Sequence, residues 1–223
     1  MVKLCIFDMD GLLIDSERYM WNVSMDIAAR QQNRIMDDEF HNSLMGLSRQ
    51  NSAKKIMEYY GPDFDIKKFY ETIEIENNKI MAKGVPLMQG AMELLNYLKQ
   101  TGIKTCIGTS TNRKNAFNLL KADNLLEYFD EIVCGDEVVN GKPDPEIYIK
   151  CFNKFNFKKE EALIFEDADS GAKAAFEAGI RLVLVPDLAY LSQDSKDRAF
   201  KVIKDLSATI DIIKEENETT LSI

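Results

Sequence analysis

Four short clusters in the sequence carry side chains suited to handling a phosphate group beside a hard cation. They are Asp8-Met9-Asp10-Gly11, Thr109-Ser110-Thr111-Asn112, Gly141-Lys142-Pro143-Asp144-Pro145 and Glu166-Asp167-Ala168-Asp169. Magnesium takes hard oxygen ligands and keeps some water, so two or three carboxylates, a backbone carbonyl and a phosphate oxygen suffice for it. The cation also screens the repulsion between a carboxylate and an anionic phosphate. A carboxylate can then attack phosphorus and form an acyl phosphate, dividing one hard step into two. A second carboxyl nearby can protonate the leaving oxygen and afterwards activate water. Ser110 and Lys142 would stabilise charge on the non-bridging oxygens. Each cluster alone has a plainer reading. Asp-x-Asp-Gly is a common turn, and Ser110 or Asn112 suits a helix cap. Lys-Pro-Asp-Pro suits a loop entering a helix, and Glu166, Asp167 and Asp169 suit a helix N-terminal dipole. The specificity lies in all four occurring together, in this order.

The surrounding pattern places them. Five brief apolar runs have the composition of buried strands: Lys3 to Asp8, Lys104 to Ser110, Glu131 to Cys134, Ala162 to Glu166, and Leu182 to Val185. Helical patterns separate them at Gly90 to Thr101, Asn112 to Lys121, Pro145 to Phe155, and Asp169 to Ala178. Alternating strands and helices imply parallel strands joined by right-handed crossovers, hence an α/β, doubly wound (Rossmann-like) parallel sheet. Ligands of such sheets bind outside the carboxyl ends of the strands, and each cluster sits at such an end or in the loop after it. One interval breaks the alternation. From Leu12 to about Gly84 the apolar residues recur at helical spacing, in Ser16 to Gln31, Asp37 to Met45, Ser48 to Tyr60 and Ile66 to Lys83, punctuated by Gly46, Gly61-Pro62 and Gly84. Such a stretch exceeds a single crossover. The expected organisation is a discontinuous α/β core, residues 1–13 and 86–223, with an inserted α-helical domain over 14–85. The polar tail Lys214 to Thr220 is expected to fray.

Composition narrows the function further. The chain has 223 residues and a formal net charge of -9, which disfavours nucleic acid and anionic membranes as partners while leaving a small phosphate ester admissible. Cys5, Cys106, Cys134 and Cys151 form no CxxC pair, and His41, in a polar helical stretch that suits the surface, is the only histidine. A zinc site and a Ser-His-Asp mechanism are therefore disfavoured. The N-terminus enters an apolar strand almost at once, without a signal-peptide pattern, and no apolar run reaches membrane-spanning length. The expected setting is the cytoplasm, with reduced thiols, and a monomer is expected because no strongly apolar surface helix stands out.

With these residues in place, the sequence resembles the haloacid dehalogenase-like hydrolase superfamily over essentially its whole length, in the branch of β-phosphoglucomutase and the sugar-phosphate phosphatases. The matching motifs are Asp8-Met-Asp10-Gly-Leu-Leu-Ile-Asp15-Ser16, then Ser110, Lys142 in Gly-Lys-Pro-Asp-Pro, and Glu166-Asp167 in Phe-Glu-Asp-Ala-Asp-Ser-Gly. The resemblance implies that Asp8 is the nucleophile, that Asp10 is the general acid and base, and that Ser110 and Lys142 hold the phosphoryl group. It implies a Mg2+ site made by Asp8, the Asp10 carbonyl, Asp167 and Glu166, the last directly or through water, and a cap domain made by the helical insert. Gly46-Leu-Ser-Arg49 matches a cap loop whose Arg touches substrate, although Arg49 equally suits the start of a helix. Asn112, Arg113 and, less closely, Lys114 lie where relatives contact the distal part of the substrate. One position departs from the pattern: β-phosphoglucomutases carry a histidine on the first cap helix where this chain has Met20. The implied activity is therefore a Mg2+-dependent phosphatase of small phosphate monoesters, sugar phosphates foremost, with a sugar phosphomutase as the alternative and a non-catalytic metabolite-binding protein as the third reading.

Overall fold

The computed structural model describes residues 1–44, 49–189 and 191–221. In chain order its elements are β1 (Leu4–Phe7), α1 (Ser16–Arg30), α2 (Asp38–Asn42), α3 (Arg49–Tyr60), α4 (Ile66–Lys83), α5 (Ala91–Thr101), β2 (Lys104–Gly108), α6 (Arg113–Ala122), β3 (Glu131–Val133), α7 (Glu146–Phe152), β4 (Ala162–Glu166), α8 (Asp169–Ala178), β5 (Arg181–Leu184), α9 (Gln193–Arg198), β6 (Lys201–Val202) and α10 (Thr209–Leu221). The six strands form one sheet in the order β3-β2-β1-β4-β5-β6, and every pairing is parallel.

Both faces of this sheet are covered, which is why β1 is apolar at every position and β4 at all but its last. Successive side chains point to opposite faces. Cys5 and Phe7 enter one apolar cluster with Leu94, Leu98 and Leu120 from α5 and α6. Leu4 and Ile6 enter another, with Ile147 and Tyr148 from α7 and Ala174, Ala175 and Ala178 from α8. The small alanine face of α8 lets that helix lie close to the strands. The strand order reverses between β1 and β4, so the crevice rule points to the carboxyl ends of those two neighbours. Phe7 pairs with Ile107 on one side and Phe165 on the other, and the next residue out on each strand is Asp8, Gly108 and Glu166.

Helices α1 to α4 all lie between β1 and α5, as the unbroken helical periodicity indicates. They have an apolar cluster of their own, built from Met25, Ala28, Phe40, Ile56, Phe64 and Phe69. Phe40 stacks on Tyr59 with ring centroids 3.7 Å apart, and Tyr60 stacks on Phe64 at 4.7 Å. The two chain passages joining these helices to the sheet run side by side: Asp15 N donates to Pro86 O at 2.8 Å and Met88 N to Leu13 O at 3.0 Å. Gly84, with φ of +84°, ends α4. The Asp123 carboxylate then accepts from Val85 N at 3.1 Å. No described helix is long and apolar enough to cross a membrane.

Element positions agree with the sequence pattern to within three residues wherever both exist. Met45 to Ser48, which ended one anticipated helix and began another, lie outside the described residues. The short β6 and α9 were not anticipated, and His41, expected at the surface, is half-buried in α2. The tail needs a correction. Instead of fraying, residues 214–220 continue α10. Ile213 is fully buried in the first core cluster. Arg181 pairs with Glu216 at 2.5 Å, and Val2 N donates to Asn217 Oδ1 at 2.6 Å. A few anchoring contacts therefore dock a helix whose exposed face is polar. Ile213→Ala should lower the unfolding free energy by about 3 kcal/mol. Urea unfolding followed by circular dichroism measures this, and a change near zero would mean that the tail is undocked.

Candidate active site

Asp8 follows β1 directly, and its backbone N–H continues the ladder by donating to Phe165 O at 3.0 Å. The chain then turns on itself: the N–H groups of Leu13 and Ile14 donate to Met9 O at 3.0 and 3.2 Å, and Gly11 N donates to Ile14 O at 3.0 Å. Gly11 has φ of +79°, a conformation that costs an L side chain about 1–2 kcal/mol. A Cβ there would also lie 2.6 Å from Asp167 Oδ2. The turn that delivers Asp10 thus depends on a glycine that lets Asp167 approach. Asp10 is half-buried and held by hydroxyls. Its Oδ1 accepts from Ser16 at 2.6 Å, and its Oδ2 accepts from Thr111 at 2.7 Å and Thr109 at 3.3 Å.

Beside Asp8, the end of β4 supplies Glu166 and Asp167, and both are almost wholly buried. Lys142, with its side chain 5% exposed, bridges the two strands. Its ammonium donates to Asp8 Oδ1 and, at 2.7 Å, to Glu166 Oε1. Tyr148 OH donates to the same Glu166 oxygen at 2.5 Å, while Oε2 accepts from the N–H groups of Asp167 and Ala168 at 3.0 and 3.2 Å. The first turn of α8 lies against this carboxylate so closely that a Cβ on Gly171 would overlap it.

Asp8, Glu166 and Asp167 each bring an oxygen within 4.8 Å of the others. Three buried carboxylates therefore converge on one small volume, and the Lys142 ammonium bonds two of them, Asp8 and Glu166. Burial pushes the Asp8 carboxyl up to about 8; the Lys142 charge opposes this, and Glu166 and Asp10 add to it. Burial pulls the Lys142 ammonium down, but Asp8 and Glu166 outweigh it and hold the group above its usual range. A divalent cation matches this cluster in charge and in hard oxygen donors, and would bring Asp8 back to its ionised form. The residues fit a metal site on those two grounds.

The other anticipated residues divide. Ser110 lies exposed just beyond β2, close enough to the next loop that a Cβ on Gly135 would overlap its carbonyl. Asn112 caps α6, accepting from Asn115 N at 3.0 Å. The Arg113 guanidinium pairs with Glu137 at 3.1 Å and lies over the Phe117 ring at 4.5 Å. Lys114 is exposed on the same turn. Arg49 opens α3, but its side chain, like that of Met20, lies outside the described residues, as do Gly46 to Ser48. Asp169 stands apart from the acidic cluster. It accepts from Ser192 Oγ and Ser195 Oγ, each at 2.6 Å, and pairs with Lys173 at 2.7 Å. Lys173 first, then the two serines, hold its carboxyl far below the usual range. Sequence reasoning missed Tyr148; the one signal available was a tyrosine on the apolar face of a helix, whose hydroxyl must find a partner when buried.

With this geometry established, the comparisons with known proteins can be placed. The model of the haloacid dehalogenase-like hydrolases matches residues 5–185. A phosphorylated carbohydrates phosphatase of Thermotoga maritima is 32% identical over 82% of this chain and 84% of its own. A Drosophila melanogaster protein named as a pseudouridine-5'-phosphatase is 33% identical over 92% of this chain and 90% of its own. Among solved structures, a Thermotoga maritima protein bearing a β-phosphoglucomutase name superposes with a TM-score of 0.83 at 28% identity, over 96% of this chain and 99% of that one. The chain belongs to the haloacid dehalogenase-like hydrolase family, as one of its phosphatases.

Gly11→Ala should destabilise the fold by about 1–2 kcal/mol from its backbone conformation alone. It should also displace Asp167, so that added divalent cation no longer raises the unfolding temperature. Differential scanning calorimetry with and without cation tests both; a variant that still gains the wild-type increment would separate Gly11 from the acidic cluster.

Proposed function

We propose that this phosphatase hydrolyses small phosphate monoesters, sugar phosphates foremost, through a phosphorylated Asp8. The observation that carries the reading is the buried set of Asp8, Glu166 and Asp167, with the Lys142 ammonium bonded to the first two, at the ends of the two strands where the sheet order reverses. Asp8, Asp167 and the Asp10 carbonyl would hold Mg2+, with Glu166 completing the site. Magnesium there would keep Asp8 ionised and neutralise charge on the phosphate. The Asp8 carboxylate attacks phosphorus, the bond to the leaving oxygen breaks, and Asp10 delivers a proton to that oxygen. Lys142 and the exposed hydroxyl of Ser110 take up charge on the transferring group. In the second half Asp10 takes a proton from water, the water oxygen attacks the acyl phosphate, and inorganic phosphate leaves with Asp8 regenerated.

The helical segment 14–85 serves in this reading as a cap that selects the leaving group, with Arg49 beside the substrate and Asn112 and Arg113 near its distal end. Its separate apolar cluster supports treating it as a unit. Sugar phosphates come first because one relative carries a phosphorylated-carbohydrate name and another a nucleotide-like sugar phosphate name. The β-phosphoglucomutase name of the superposable structure keeps a phosphomutase as the second reading. Met20, where such mutases carry a histidine, favours release of the phosphoryl group to water.

With purified protein and Mg2+, a panel of sugar phosphates and pseudouridine 5'-phosphate should release inorganic phosphate, and chelation should stop it. Asp8→Asn should cut turnover by at least about 10^4-fold with an unchanged circular dichroism spectrum; wild-type turnover in that variant would remove the nucleophile assignment. Incubating β-glucose 1-phosphate with a trace of the bisphosphate separates the two readings: glucose 6-phosphate without phosphate release would make the protein a mutase.

A further inference from the structure

We propose that Tyr148 is a positioning residue of this site, fixing the Glu166 carboxylate with its hydroxyl and the Lys142 ammonium with its ring, so that the acidic cluster keeps the geometry a divalent cation requires. The proposal rests on the metal-site reading above and extends it to a residue on α7.

Four donors point at Glu166 and set its orientation. Two are the backbone N–H groups of Asp167 and Ala168, which belong to its own loop. The other two, Lys142 Nζ and Tyr148 OH, come from the segment after β3 and converge on one oxygen. Lys142 is shared with Asp8, so on its own it ties the positions of the two carboxylates together. The tyrosine hydroxyl holds Glu166 independently of whatever Asp8 does. Its ring also lies 4.9 Å from the buried Lys142 ammonium, close enough for a cation–π attraction.

The ring itself is fixed. Tyr148 is fully buried, and a Cβ on Gly108 would lie only 3.2 Å from its edge, so β2 packs directly against it. Phenylalanine would fill the same space, and a fully buried hydroxyl is costly unless bonded. The oxygen is thus explained by its bond to Glu166 rather than by packing.

The test compares wild type, Tyr148→Phe and Asp167→Asn as full-length proteins by calorimetric titration with MgCl2 and by unfolding temperature with and without MgCl2. Partners of a ligating carboxylate typically change metal affinity 10–100-fold when removed. Tyr148→Phe should fold cooperatively and bind Mg2+ about tenfold or more weakly, with kcat at saturating Mg2+ reduced much less than activity at low Mg2+. Wild-type Mg2+ affinity in Tyr148→Phe, while Asp167→Asn has lost it, would overturn the positioning role and leave the metal site standing. Absence of Mg2+ binding by the wild type would overturn both.

Discussion

The structure is organised around negative charge buried between two strand ends. Three carboxylates crowd the ends of β1 and β4, and the Lys142 ammonium bonds two of them. Removing a charge from water is expensive unless it is paired and hydrogen-bonded. Much of the local backbone answers that requirement. The cluster forms because β1 and β4 are adjacent and in register, which sets Asp8 beside Glu166. It stays compact because Gly11 and Gly171 lack side chains where carboxylates approach.

The apolar architecture supports this arrangement without joining in its chemistry. The strands alternate between two apolar clusters, so a slip of one residue would turn the whole of β1 inside out. The register that places Phe7 against Phe165, with their rings stacked 4.8 Å apart, is therefore strongly fixed. The carboxylates occupy the next position outward. An unfavourable concentration of charge is held in place by a hydrophobic alternation that would have to fail first.

That division explains what could be read from the sequence. Five of the six strands, the helices between β1 and α5 and the four clusters were legible because apolar periodicity and turn residues report local structure, and chain order then fixes which strand ends share an edge. Tyr148 was not legible, since a tyrosine among Ile147 and Cys151 has the pattern of a core residue and only its hydroxyl's partner distinguishes it. For Arg113 the position after the strand end followed from the sequence, whereas its contacts with Glu137 and Phe117 depend on how the next loop and helix pack and could not be read. The tail α10 escaped notice because two isoleucines, one arginine pair and one backbone hydrogen bond dock a helix that is otherwise polar.

Asp10 differs from its neighbours in being gripped from two sides. Thr109 and Thr111 reach it from the loop after β2, and Ser16 reaches it from the first residue of α1. One turn along, Arg18 pairs with Asp15 at 2.7 Å and with Asp187, in the loop after β5, at 2.8 Å. The start of the helical segment is thereby tied both to the group read as acid and base and to the sheet domain beneath it. Asp8, by contrast, is held by Lys142 and the strand ladder, which belong wholly to the sheet side. A shift of α1 would therefore act on the orientation of Asp10 while leaving the Asp8–Lys142 pair in place. In the proposed mechanism, proton transfer would then respond to the position of the helical segment, and the carboxylate proposed as nucleophile would not.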